Sequence, residues 1–295
     1  MTRSGILLID KPEGPSSADV VHRVKVSLGV KKVGHLGTLD PFASGLLLLG
    51  VEEGTKIADI FLKAAKRYRG VMVLGIATDS QDITGKVIKT RPVPALNPEL
   101  LKALADQFTG ALEQTPPMFS ALKKDGVRLY RLARQGQEVA RAARAVRVES
   151  LSLSQRSLSE IELDVTCSSG TYVRTLAADM GASLGCGAHL KSLRRLSCGH
   201  LMIDQAVTPE AVERARAVSG EAFLSLASAL GAISSVTWDQ RWIARLRLGQ
   251  QEVLAQLGKP PAGENLSRIL DQRGNLVALA EWSDAGWRLV RVFRE

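Results

Sequence analysis

Cysteine is scarce in this chain: Cys167, Cys186 and Cys198 are an odd number, with no C-x-x-C pair among them. That spacing argues against a disulfide framework and against a zinc site, so the three read as reduced packing residues. Histidine is nearly as sparse, and His22, His35, His189 and His200 form no H-E-x-x-H or comparable ligand pattern, so metal chemistry is not indicated. A nucleotide cofactor is not called for either. Gly50-Val51-Glu52-Glu53-Gly54-Thr55-Lys56 looks like a phosphate-binding loop, but its glycine spacing is one short and its Lys follows the Thr. Long apolar runs are absent: the N-terminus MTRSGILLIDKP lacks an apolar h-region, and no stretch approaches the length of a membrane span. A soluble cytoplasmic protein is the expectation. Internal repeats and low-complexity segments are also missing.

Positive charge is what the chain has in excess. The formal net charge of +9 favours a polyanionic partner such as nucleic acid over a small acidic substrate, although arginines on a solvated surface give the same balance. The charge is densest over residues 123–147, where eight Lys/Arg face two acidic groups; an ordinary solvated basic helix and a nucleic-acid grip both fit that run. At 295 residues the chain can bury about three quarters of its unfolded surface, which predicts a large core plus an accessory module.

Strands and helices are mixed without regular alternation. Ile6 to Ile9 reads as a buried strand, followed by a helix capped by Ser16 or Ser17, carrying Val20, Val21 and Val24 and stopping near Gly29. Tyr68 to Gly75 and Gly85 to Lys89 read as strands around a polar turn, and Ile161 to Thr166 alternates as a half-buried strand should. Asn97-Pro98 opens a helix with Leu100, Leu101, Leu104 and Phe108 on one face, closed by Gly110. Thr171 to Arg174 continues a strand-like stretch into a helix ending near Gly185. Residues 219–236 look like an apolar connector, and Ser267–Asp271, Asn275–Trp282 and Trp287–Phe293 look like three strands of a small β-rich module.

The most informative stretch is GHLGTLDPFASGLLLLGVEEGTKI, from Gly34 to Ile57. Asp40 is a lone carboxylate in a Gly-rich turn, restricted by Pro41 and followed by the buried strand pattern Gly45 to Val51. Such a turn can hold a catalytic acid at a fixed angle; Asp before Pro is also a common turn initiator that only caps its own backbone.

The string GHLGTLDPFASGLL resembles the catalytic-aspartate motif of the TruB family of tRNA pseudouridine-55 synthases. Four further segments resemble that family in the same order: LLIDKPEGPSS (7–17), KRYRG with GIATDSQDITG (66–85), PPMFSALKKDG (116–126) and CSSGTYVRTLAADMGASLGCGAHLKSLRR (167–195). The resemblance spans most of residues 5–200 and weakens past about 205. It implies an α+β protein with the pseudouridine synthase fold, a mixed and largely antiparallel sheet flanked by helices. The catalytic domain is expected over 1–235, with an RNA-gripping insertion at about 117–147, and a PUA-like RNA-binding domain over 237–295. The implied activity is cofactor-free isomerisation of uridine 55 in the T-loop after the base is flipped out. The implied partner is tRNA, through its T-arm and T-loop, with no membrane, guide RNA or protein partner and with a monomeric enzyme. A non-catalytic RNA-binding or tRNA-folding protein on the same scaffold is the alternative.

Site residues follow from the same resemblance. Asp40 matches the aspartate that attacks the ribose or acts on it as a base, and Arg174 the arginine paired with it; by itself Arg174 reads more readily as a phosphate contact or a surface ion pair. Tyr68 matches the aromatic that stacks on the target base. Tyr172, two residues before Arg174 and therefore expected on the same strand face, matches a second pocket aromatic. Leu193 matches an apolar wall of the uracil pocket, Lys11 a support of the fold around the site, and His35 the histidine that fills the space of the flipped nucleotide. Lys123, Lys124, Arg128 and Arg131 fall in the RNA-gripping insertion. Ser169 stands where the family frequently has Lys, which removes one possible phosphate contact.

Overall fold

Strands Gly5–Lys11 and Ser44–Val51 are apolar and buried at nearly every position, as strands covered on both faces must be. They pair antiparallel from Gly5 with Val51 to Lys11 with Gly45. In the computed structural model, which describes residues 4–215 and 220–293, they lie inside a ten-stranded sheet. Its main path runs Phe223–Leu224, Gly5–Lys11, Ser44–Val51, Ala188–Cys198, Lys66–Leu74, Glu160–Cys167, Arg144–Gln155 and Gly110–Gln114. Only Ala188–Cys198 with Ser44–Val51 is parallel; the other neighbours are antiparallel, so the sheet is mixed and largely antiparallel as expected.

Side chains alternate across the sheet and therefore feed two cores. Leu7, Ile9, Leu47 and Leu49 join Met72, Leu163, Leu176 and Met180 on one face. Ile6, Leu8, Leu46 and Leu48 join Ile57, Phe61 and Leu226 on the other.

Local cap signals placed two of the helices closely. Ser16 forms a capping box with Asp19, and helix Ser17–Leu28 ends at Gly29 in the left-handed region, φ 60°. Asn97 caps Pro98–Gln107 by accepting from the Leu100 N–H at 2.7 Å. That helix stops at Phe108, and Gly110 (φ 103°) opens the next strand instead of closing the helix. The expected strand at Thr171–Arg174 is also corrected. Helix Val173–Ser183 has already begun there, with Tyr172 as its N-cap and Arg174 in its first turn, so the two do not share a strand face. The buried Gln114 side chain explains the strand-like look of Tyr172: it accepts from the Tyr172 N–H at 3.0 Å and donates to the Tyr172 carbonyl at 3.2 Å, as a neighbouring strand would.

The C-terminal residues form a four-stranded sheet in the order Ser235–Thr237, Leu266–Leu270, Leu276–Ser283, Gly286–Val292; the short first strand was not expected. One side packs on Trp238, Ile243 and Leu246, while Leu276, Leu279 and Phe293 enter the second core of the large sheet beside Leu8 and Leu46. The connector expected over 219–236 is described from residue 220; residue 219 lies outside the described residues. Its chain does more than connect, since Phe223–Leu224 adds an edge strand and Leu226, Ala229 and Leu230 are buried in the second core. Arg268 then ties it to the module, donating to the carbonyls of Ile233 at 2.7 Å and Ala227 at 2.6 Å. Among the described residues no helix is long and apolar enough to cross a membrane.

Because Leu279 belongs to a core shared with the large sheet, Leu279→Ala should lower the stability of the whole chain by about 2–5 kcal/mol in urea unfolding. A separate C-terminal transition that moves while the main one holds would show instead that the two parts unfold independently.

Candidate active site

The turn carrying Asp40 is held from three directions. Ser17 Oγ donates to the Leu39 carbonyl and accepts from the Leu39 N–H, both at 2.9 Å. Lys11, fully buried, donates to the carbonyls of Pro12 (2.8 Å), Pro15 (2.9 Å) and Pro41 (3.3 Å). Burial pulls the Lys11 ammonium down to about 8, while the carboxylates of Asp40 and Glu13 hold it up. Arg195 supplies the third hold, donating to the carbonyls of Leu46 (2.6 Å), Gly37 (3.1 Å) and Thr38 (3.3 Å). The strand leaving the turn pairs parallel with the strand that carries this arginine, with Gly45 opposite Arg195. Gly45 has φ 102°, and a Cβ there would stand 2.3 Å from the Arg195 carbonyl oxygen.

Arg174 meets Asp40 from the first turn of helix Val173–Ser183, with Nε 2.9 Å from Oδ2. Its other nitrogens are also matched. Nη1 donates to the Ser80 carbonyl at 2.7 Å and lies 3.4 Å from Asp82 Oδ2, and Nη2 donates to the Phe119 carbonyl at 2.7 Å. Asp82 is buried and oriented in turn by Ser80 Oγ (2.7 Å) and the Thr84 N–H (2.9 Å). The Arg174 side chain is 3% exposed, whereas that of Asp40 is 39% exposed, so the pair presents one open carboxylate edge to the cleft. Burial pushes the Asp40 carboxyl up from its ordinary range; Arg174 pulls against that, and the Asp82 charge adds to it.

Two cavities meet at this carboxylate. The inner one, ≈ 320 Å³, is walled by Tyr68, Tyr172, Leu193, Lys66 and Arg195. The outer one, ≈ 660 Å³, is lined by His35, Lys123, Arg128, Tyr130, Arg134 and Phe119. Thr38, Leu39, Asp40, Ser120, Ala121 and Arg174 border both. The inner cavity thus carries the two tyrosines and Leu193, with the donors of Lys66 and Arg195 taken up by backbone carbonyls, and the outer one is lined by the basic groups Lys123, Arg128 and Arg134, around which no such carbonyl cage forms among the described residues. Burial raises the Tyr68 phenol, with Arg195 opposing it, and burial likewise raises Tyr172. His35 is pushed down by burial and by the charges of Arg195 and Arg128, which favours the neutral ring.

Asp40, Tyr68, Tyr172, Arg174 and Leu193 therefore lie around one space, with His35, Lys123 and Arg128 around the adjoining one. Lys11 lines neither and sits beneath the turn. Lys124 borders a separate ≈ 160 Å³ hollow near Arg141 and Arg144, and Arg131 lies beside the half-buried Tyr130, pulling its phenol pKa down, without lining either cavity. The basic run is mainly not a helix: Lys123–Lys124 and Val127–Arg128 form a small hairpin before the short helix Leu129–Arg134. Asp82, Ser120, Tyr130, Arg134 and Arg195 escaped the sequence reading. For Tyr130 and Arg134 a signal existed, since i,i+4 spacing places them together on a helix, where the guanidinium lies 5.6 Å from the ring centroid. Among the described residues no acidic, histidine or cysteine cluster is arranged to hold a metal ion.

Residues 25–173 match the family model for the TruB family pseudouridylate synthase N-terminal domain, and 174–230 that for the tRNA pseudouridylate synthase B C-terminal domain. The chain is 43% identical to the tRNA pseudouridine synthase B of Geobacter sulfurreducens over 98% of its own length and 99% of that protein. It is 44% identical to the protein of the same name from Ralstonia nicotianae over 94% and 90%. Among solved structures, a chain of a Cbf5-Nop10-Gar1 complex superposes with TM-score 0.71 at 22% identity, covering 98% of this chain and 85% of that one. A chain of an H/ACA RNP bound to a substrate RNA containing 2'-deoxyuridine gives TM-score 0.73 at 21% identity, covering 99% and 85%. At that identity these likenesses establish the fold.

The close pairing of Gly45 with Arg195 yields a direct test of how the Asp40 turn is held. Gly45→Ala meets both an unfavourable φ and the Arg195 backbone, so its thermal melting should show a loss of more than about 3 kcal/mol. Wild-type melting would mean that the strand does not ride on Arg195.

Proposed function

The chain belongs to the TruB family of pseudouridylate synthases, and from that membership we propose that it isomerises uridine 55 in the T-loop of tRNA to pseudouridine. The observation that carries the site assignment is the Asp40–Arg174 pair, buried on the arginine side and open on the aspartate side, at the junction of an aromatic cavity and a basic one. The reaction breaks the bond from ribose C1′ to uracil N1, turns the base and joins C1′ to C5; the C5 proton leaves and N1 gains one, so no co-substrate is consumed. A base that must turn has to leave its stack, and the inner cavity offers it Tyr68 and Tyr172 with Leu193 as an apolar wall. Asp40 acts on the ribose, as attacking group or as base, and either role requires it ionised, which the Arg174 charge favours.

The basic outer cavity and the insertion carrying Lys123, Lys124, Arg128 and Arg131 take the RNA backbone of the T-arm. Residues 1–235 are assigned to catalysis and 237–295 to a PUA-like module that adds RNA contacts. Cavity, carboxylate and basic grip all lie on one chain, which supports the reading of a monomeric enzyme that needs no guide RNA or protein partner. A purely RNA-binding protein would gain nothing from a carboxylate held at the centre of its anion-binding cleft.

Purified protein incubated with unmodified tRNA should place pseudouridine at position 55. Asp40→Asn keeps the shape and removes the charge; turnover should fall below detection while the tRNA Kd stays within about threefold, because binding rests on many backbone contacts. Appreciable turnover by that variant would remove Asp40 from the mechanism. The pH profile supplies an independent check. Since the ionised form works and burial raises its pKa, activity should be lost as pH falls through a midpoint above the ordinary aspartate value of about 4. An acid limb at or below that value would contradict the assignment.

A further inference from the structure

Ser120 stands where the two cavities meet, with a hydroxyl that no described residue satisfies. The residue is 5% exposed, and its Oγ is buried without a hydrogen-bond partner among the described residues. Its backbone is firmly placed: the N–H donates to the Met118 carbonyl at 2.9 Å, and the carbonyl accepts from the Tyr130 N–H at 3.1 Å. The Tyr172 phenol is near enough for Ser120 to offset the upward push of burial on it, yet the contact lacks the geometry that would satisfy Ser120 Oγ. A buried hydroxyl left unpaired destabilises the free protein, because it has given up water for nothing. Replacing it with a methyl group would remove that cost.

Its position suggests what satisfies it. Ser120 borders both cavities together with Asp40 and Arg174. On the reading that the inner cavity receives the target uracil and the outer one the RNA continuing from it, the group that threads between them past Asp40 is the sugar–phosphate of the target nucleotide. A base seated among Tyr68, Tyr172 and Leu193 would touch residues that line the inner cavity alone. We propose that Ser120 Oγ, turned to the cavity surface by rotation about χ1 when RNA binds, is the hydrogen-bond partner of a sugar–phosphate oxygen of the target nucleotide, unpaired in the free enzyme and satisfied by substrate. The inference rests on the isomerase reading above and adds to it a substrate-positioning group that touches the ribose or its 3′ phosphate. A serine hydroxyl suits either, since it donates to phosphate and both donates to and accepts from a 2′-hydroxyl.

Ser120→Ala separates this role from a structural one by the sign of two effects. Its melting temperature should equal or exceed that of the wild type, while kcat/KM on an unmodified tRNA transcript falls about tenfold and Kd rises about fivefold. Two T-arm RNAs then identify the oxygen: one with 2′-deoxyuridine at the target position, one with a methylphosphonate at its 3′ phosphate. The loss in affinity caused by Ser120→Ala should vanish with the RNA that lacks the bonded oxygen, and persistence at full size with both overturns the proposal. A loss of activity that disappears in a Tyr172→Phe background overturns it too, because Ser120 would then act through the phenol. So does a lowered melting temperature that accounts for the lost activity. Unchanged kcat/KM and Kd in the variant, with wild type active, sink the inference and leave the isomerase reading standing; inactive wild type removes both.

Discussion

The ion pair between Arg174 and Asp40 constrains the structure around it, because an arginine with 3% of its side chain exposed is tolerable only when its donors are matched. A guanidinium has five N–H groups, and here four different acceptors receive or face them: the Asp40 and Asp82 carboxylates and the carbonyls of Ser80 and Phe119. These acceptors come from three separate parts of the chain. The polar turn after Lys66–Leu74, the segment leading into the basic insertion, and the Asp40 turn are all obliged to converge on the start of one helix. The site is therefore assembled by satisfying one buried cation, and the open edge of Asp40 is what remains once that is done.

The same principle of buried cations matched by carbonyls recurs beneath the site. Lys11 and Arg195 each gather three carbonyl oxygens, mostly from the Asp40 turn and its flanks, and Lys66 gathers those of Phe61, Leu62 and Ala64. Irregular backbone in a protein interior leaves carbonyls without strand partners, and long cationic side chains can reach them with charge-assisted bonds. The turn is thus rigid without being regular. Rigidity matters to the proposed chemistry, where a carboxylate has to keep its aim while a base is detached and turned beside it.

Charge is distributed to match. The chain is strongly basic overall, and the basic groups nearest the cleft, Lys123, Arg128 and Arg134, line the outer cavity, while the inner one is walled mainly by aromatic, apolar and hydrogen-bonded groups. An RNA is drawn by the first environment, and an uncharged base fits the second. Behind the sheet, the core shared with Leu276, Leu279 and Phe293 means that the C-terminal module also backs the strand that leaves the Asp40 turn, through Leu46 and Leu48.

Much of this was legible in the residues themselves. The apolar run of Gly45 to Val51, the Ser16 and Asn97 caps and the Gly29 stop are decided by neighbours within a few positions, so propensity and spacing predict them. The Asp40 motif and its four companion segments were also enough to point to the family. What only the tertiary structure decided is which of several chemically equal residues turns inward. Asp82, not Asp79, reaches Arg174; Arg195 is buried under the turn while its neighbour Arg194 pairs with Asp10; Tyr172 stands extended just before a helix, its backbone paired by the Gln114 amide. Ser120 reads as an ordinary turn serine until two cavities are seen to meet at it. The partners involved are far apart in sequence: Arg195 and Gly37 are separated by 158 residues, and Arg174 and Ser80 by 94. Local preference carries no information over such distances. Their pairing is set by the register of the sheet and by the need of each buried polar group to find a partner.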